Sequence, residues 1–168
     1  GKYNDDGKYL WAKNLGNTGT DLGSTIITDG SGNIFLLGVF SGTVDFDPGG
    51  GAQNLSSSGL LDIFFAEYDT DGNFIWAKNI GGTGDDYGNS IAIDATNIYI
   101  AGSFQNTSDF DPGAPAQNLS SLGIGDVFFA KYDLAGNYIW AKGIGGTADD
   151  AATSLVLTGT NVCITGYF

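Results

Sequence analysis

The 168-residue chain contains no histidine, no methionine and no arginine. Each absence removes a class of chemistry. Without imidazole there is no Ser-His-Asp or Cys-His nucleophile system and no histidine base. Without guanidinium there is no planar fork for phosphate or carboxylate. Glu67 is the only glutamate among nineteen acidic residues, and all six basic residues are lysines. Helices draw freely on Glu, Arg and Met, so this composition points away from them. Cys163 stands alone, which excludes a disulfide framework and a cysteine zinc site. It lies in an alternating apolar stretch and is expected to be a buried, inert thiol. Positive charge is scarce: the net charge of −13 speaks against nucleic acid as a partner, because phosphate binding needs clustered cations. No apolar run approaches the roughly 18 residues of a membrane span. The chain opens on Gly1 without a signal-peptide pattern, and is read as a processed or excised piece.

Glycine, aspartate and aromatic residues are what the sequence does have. With 28 Gly and 13% aromatics it has a turn-dense β composition, and its 42% hydrophobic fraction is enough for a packed core.

Self-similarity organises these residues. Trp11, Trp76 and Trp140 are 65 and 64 residues apart, inside YLWAKNLGN, FIWAKNIGG and YIWAKGIGG. Upstream, DIFFAEYD (62–69) matches DVFFAKYD (126–133); downstream, NIFLLGVF, NIYIAGSF and NVCITGYF align. Between them, residues 44–59 and 108–123 agree at 12 of 16 positions, too many for chance. The one-residue change of period falls where DGSGN (29–33) becomes DATN (94–97). Turns tolerate such deletions; strands do not.

Each unit holds four short runs rich in Ile, Phe, Tyr and Trp, bounded by Gly, Asn and Asp, and tight turns such as DTDGN and DLAGN make neighbours antiparallel. The fold class expected is all-β: β-propeller blades of four antiparallel strands. Residues 1–17 form the end of one blade, 18–82 and 83–146 two full blades, and 147–168 the first two strands of a third. A few blades cannot cover both faces of every sheet. The remaining blades are therefore expected from the same longer chain or from other copies. A joint blade made from two copies would lack its third strand, leaving the second and fourth without their bridge, which counts against a self-sufficient assembly.

The blocks GGTGDDYGNSIAID (81–94), NIYIAGSF, DFDPG and FFAKYD…GNYIWAK resemble the bacterial β-propeller repeat family called SBBP. The resemblance covers nearly the whole chain. It implies secreted or cell-surface proteins and carries over no catalytic residue.

Candidate site residues follow from the repeats. In DFDPG, Asp45 and Asp47, like Asp109 and Asp111, lie two apart and project to one side of an extended segment. Two carboxylates and nearby carbonyls suit Ca²⁺; turn capping by the same carboxylates is the competing reading. DTDGN is expected to be a hairpin turn, because a later acidic ligand at EF-hand spacing is missing. Asp85–Asp86, matched by Asp149–Asp150 and in part by Asp21, are expected to cap turns. Trp11, Trp76 and Trp140, with Phe65 and Phe129, are expected in the core between blades. Asn54, Asn106 and Asn118 stand in N-x-S/T sequons. The function expected is a non-catalytic extracellular scaffold for a protein or glycan partner. A structural block of a surface filament and an accessory domain of a secreted enzyme are the alternatives.

Overall fold

A computed structural model describes residues 1–168, all strand and loop with no helix. The strands run β1 (Lys2–Tyr3), β2 (Tyr9–Trp11), β3 (Asp21–Thr28), β4 (Ile34–Phe40), β5 (Thr43–Asp45) and β6 (Asn54–Ser56). They continue as β7 (Asp62–Tyr68), β8 (Phe74–Gly82), β9 (Tyr87–Ile93), β10 (Asn97–Phe104) and β11 (Thr107–Asp109). The last five are β12 (Asn118–Ser120), β13 (Asp126–Asp133), β14 (Tyr138–Ile144), β15 (Ala151–Thr158) and β16 (Asn161–Tyr167). Two sheets share one antiparallel order, β3-β4-β7-β8 and β9-β10-β13-β14. The hairpin β15-β16 begins the same order a third time, and β1-β2 has the form of its end. The chain is all-β, built of propeller-like blades.

Local chemistry sets the turns. Asp29, Asp69 and Asp133 each accept two backbone N–H bonds at Oδ1, from the residues two and four positions on. Gly32, Gly72 and Gly136 supply the positive φ that closes these hairpins. The innermost strand of each blade carries a bulge opposite Gly38, Gly102 or Gly166. A methyl group on any of these glycines would overlap a carbonyl oxygen, that of Leu22, Tyr87 or Ala151 respectively. Glycine at that point of NIFLLGVF, NIYIAGSF and NVCITGYF is therefore a steric requirement of the bulge.

The blades stack face to face. Phe35, Leu37, Ile63, Phe65 and Ile80 of the first full sheet meet Ile91, Ile98, Ile100, Phe104 and Phe128 of the second. Tyr99, Ala101 and Val127 of the second sheet meet Ala152 and Leu155 of the third blade. Across the first of these junctions the Trp76 indole lies 3.1 Å from where a Cβ on Gly136 would sit, and the Trp11 indole 2.8 Å from where one on Gly72 would sit. Phe65 is buried, whereas Trp11, Trp76, Trp140 and Phe129 are half-buried, with Phe129 edge-on to Trp140 at 5.5 Å.

Two features depart from the sequence reading. The segment holding DFDPG contains a small hairpin in each blade, β5-β6 and β11-β12. Strand β11 also pairs with the end of β8, Ser108 with Gly82 and Asp109 with Gly81. This strap from the second blade extends the first blade's sheet to six strands. Cys163, expected inside, is exposed. It lies on the face of β15-β16 pointing away from the second blade, where alternation alone cannot bury it.

Candidate functional site

The two straps are built alike. Asp45 Oδ1 accepts the N–H groups of Asp47 and Gln53 at 3.0 and 2.8 Å, and Asp47 Oδ1 accepts that of Gly49 at 2.8 Å. Asp109 and Asp111 repeat these bonds with Asp111, Gln117 and Gly113. The amide bonds hold the Asp45 carboxyl below its usual range. Phe46 and Phe110 turn inward and are buried. Their carbonyls accept the hydroxyls of Tyr68 at 2.9 Å and Tyr132 at 2.8 Å, tying each strap to the third strand of its blade. The four candidate aspartates are thus placed at two separate straps, with inner oxygens engaged by the loop's own amides. Nowhere do three or more His, Cys, Asp or Glu side chains converge.

Where the blades meet, the chain buries carboxylates. Asp86 has no exposed surface. Its Oδ2 accepts Gly82 N–H at 2.7 Å, from the first blade. Its Oδ1 accepts the Ser108 hydroxyl at 2.7 Å and Gln105 N–H at 3.2 Å, from the strap. One side chain therefore joins the end of β8, the strap and the approach to β9. Asp62, equally buried, crowds the same spot: its Oδ1 and Asp86 Oδ2 both lie within 2.9 Å of where a Cβ on Gly81 would sit. Asp62 Oδ2 accepts Ser58 N–H, but Oδ1 has no donor, as is also true of Asp126 and Asp21 at the equivalent junctions. Burial pushes both carboxyls up, Asp62 above its ordinary value and Asp86 to about 6. Sequence reasoning placed Asp86 in a turn but not between blades. The Asp-Asp pair at 85–86 and 149–150, with Asp21 alone at the first copy, was the visible signal, while its partner Ser108 is unique to one copy, Val44 standing at the other position.

Gln105–Ser108, the main divergence between the two long loops, thus serves the junction. The sole glutamate serves a blade: Glu67 accepts Trp76 Nε1–H at 2.7 Å and the Asn33 amide at 2.8 Å. Lysine fills the matching positions 2 and 131, and Trp11 Nε1 is buried without an acceptor.

The exposed rim is apolar in places. Leu60, Leu122 and Ile124 are 61%, 74% and 66% exposed, in the short links from each strap to the third strand. These links lie against the turns between blades, where Leu61 and Gly125 carbonyls accept Asp86 and Asp150 N–H. The sequon residues Asn54 and Asn118 are exposed at the start of β6 and β12, and Asn106 is exposed just before β11. Two cavities, of about 460 and 240 Å³, open elsewhere, between the N-terminal segment and the first full sheet.

No family model matches the chain. Along 97% of its length it is 30% identical to an uncharacterized WD repeat-containing protein, L264, of Acanthamoeba polyphaga mimivirus. Along 97% of its length it is also 25% identical to the regulatory protein FlaEY of Caulobacter vibrioides. The chain spans only 14% and 17% of these relatives. Its own period of 64 to 65 residues exceeds the ~40–45 of WD40 blades, and without histidine it cannot carry their Gly-His signature. What is similar is a repeat protein of propeller-like type.

Proposed function

We propose that this chain is a non-catalytic repeat scaffold of the SBBP type, displayed outside a bacterial cell, whose rim holds a protein or glycan partner. The observation that carries the reading is the aliphatic rim: Leu60, Leu122 and Ile124 stand in solvent on links whose neighbours are braced by buried hydrogen bonds. Exposed aliphatic groups on a rigid base suit a partner with apolar surface. The relative named for WD repeats supports a repeat scaffold, and the resemblance of the repeat blocks to SBBP sequences is what supports an extracellular setting. The absence of histidine and arginine supports a role without catalysis. The amides around Asp45 and Asp109 support reading the DFDPG aspartates as braces of the strap.

One experiment tests the rim. The chain and its Leu60→Ser/Leu122→Ser/Ile124→Ser variant are compared on glycan arrays and on immobilised surface proteins, with melting curves to confirm equal folding. Binding by the wild type that the variant loses supports the proposal. Equal binding by both overturns the assignment to the rim. The stitching of one blade into the next also favours the filament reading, and absent binding together with regular fibres in electron micrographs would establish it instead.

A further inference from the structure

The aliphatic rim carries a charge pattern that its partner must match. In the junction between the two full blades, which is complete with its strap, Leu60 is 61% exposed. The link that bears it lies on the turn leading into β9. A Cβ on Gly59 would meet the Gly82 carbonyl and Thr83, and the Leu61 carbonyl accepts Asp86 N–H at 2.8 Å. That turn also holds Asp85, which is half-buried. Unlike Asp86, it accepts no hydrogen bond at its carboxylate from within the chain; only its N–H is engaged, by Gln105 Oε1 at 3.5 Å.

The next junction repeats the pairing. Gly123 sits against the Gly146 and Ala148 carbonyls, the Gly125 carbonyl accepts Asp150 N–H at 2.8 Å, and Ile124 is 66% exposed. Asp149 Oδ1 lies 2.8 Å from where a Cβ on Gly125 would sit, next in sequence to Ile124. Leu122 adds a second aliphatic group where the first copy has the exposed Ser58. Each junction therefore offers an exposed aliphatic side chain beside a surface carboxylate.

Cations are kept away from this rim. Residues 55–62, 83–86, 119–126 and 147–150, which form its links and turns, contain six aspartates and no lysine. Lys2, Lys78, Lys131 and Lys142 lie within β1, β8, β13 and β14, and Lys8 and Lys13 flank β2. Asp62, Asp86, Asp126 and Asp150 are buried behind the links and add to a negative field that no nearby cation opposes. We infer that the partner held at this rim is a protein surface presenting lysine or arginine among apolar side chains. Such a residue lays its apolar stem along Leu60 or Ile124 while its charged head reaches Asp85 or Asp149. A neutral sugar has no charge to answer the carboxylates, and an acidic one is repelled. The inference rests on the rim reading above and names the chemistry of the partner. Attraction of this kind speeds encounter and weakens with salt.

The test uses three immobilised peptides of equal length: alternating leucine and lysine, alternating leucine and glutamate, and alternating glycine and lysine. The wild-type chain should hold the leucine–lysine peptide and ignore leucine–glutamate. It should hold glycine–lysine at least about tenfold more weakly, for want of apolar contact. Asp85→Asn/Asp149→Asn should weaken leucine–lysine binding by about two- to fivefold per carboxylate and flatten its decline between about 0.05 and 0.5 M salt. Melting curves confirm that the variant folds. Leucine–glutamate bound as well as leucine–lysine, or wild-type affinity and salt dependence in the aspartate variant, overturns the cationic partner and leaves the rim reading in place. Undiminished leucine–lysine binding by Leu60→Ser/Leu122→Ser/Ile124→Ser overturns both. Failure to bind leucine–lysine overturns the inference, and a neutral glycan that the aliphatic variant releases would then sustain the rim reading without it.

Discussion

Urea unfolding of this chain should require more denaturant at pH 5 than at pH 7, because of Asp86. Burial, with the nearby charge of Asp62, raises its carboxyl from 3.8 to about 6 against the pull of Ser108, Gly82 and Gln105. A carboxyl raised on folding costs stability while ionised. At neutral pH that cost is about 3 kcal/mol, from about two pKa units at ~1.4 kcal/mol each. It is recovered as pH falls through 6 and is gone near 4, where the unfolded side chain also protonates. Between those limits the folded chain binds one more proton than the unfolded chain, so stability should fall by up to ~1.4 kcal/mol per pH unit on raising the pH. Asp94, lowered to about 2 chiefly by the Thr96 amide, acts in the opposite sense. Together with Asp45 and Asp69, also held low by backbone bonds, it stabilises the fold while ionised and loses that contribution only as pH drops below about 4. The profile should therefore peak between pH 4 and 5. Relief of the overall negative charge slopes the same way, so the decisive comparison is Asp86→Asn. That variant is expected to be less stable throughout, since its amide N–H₂ meets a backbone donor, but with a flatter slope from pH 5 to 7. A variant with the wild-type slope would refute the role given to Asp86.

Two further outcomes can be checked on the same protein. Gly102→Ala forces a methyl group onto the Tyr87 carbonyl and should lower stability by about 1–3 kcal/mol, read as a fall in the urea midpoint. If the DFDPG aspartates brace the strap, Asp47→Ala should lower the melting temperature equally with calcium and with chelator; a chelator effect in the wild type that this variant abolishes would establish a calcium site.

The strands of the blades were legible because the sequence repeats them: copies that preserve apolar alternation across a shifting turn declare the strands and their order. The strap strands were not, since Thr43–Asp45 and Thr107–Asp109 are too short to show alternation, and β11 finds its partner in another blade. Burial was the least legible quantity. Cys163 and Tyr99 share a strand position, and Ile26 and Ile91 share another, yet each pair splits between surface and interior. Pattern tells which way a side chain points; only the neighbouring sheet decides whether it meets water. The carboxylates carried the opposite difficulty. Aspartates beside glycines read as surface turns, and the junction chemistry of Asp62 and Asp86 emerges only when two blades and a strap converge.

The strap has a consequence for how this array can lengthen or shorten. Because β11 of the second full blade hydrogen-bonds to β8 of the first, removing residues 108–120 alone would strip the outer edge from the first full sheet. The unit that duplicates in the gene is thus offset from the unit that melts in the test tube, and neighbouring periods should unfold together rather than one by one.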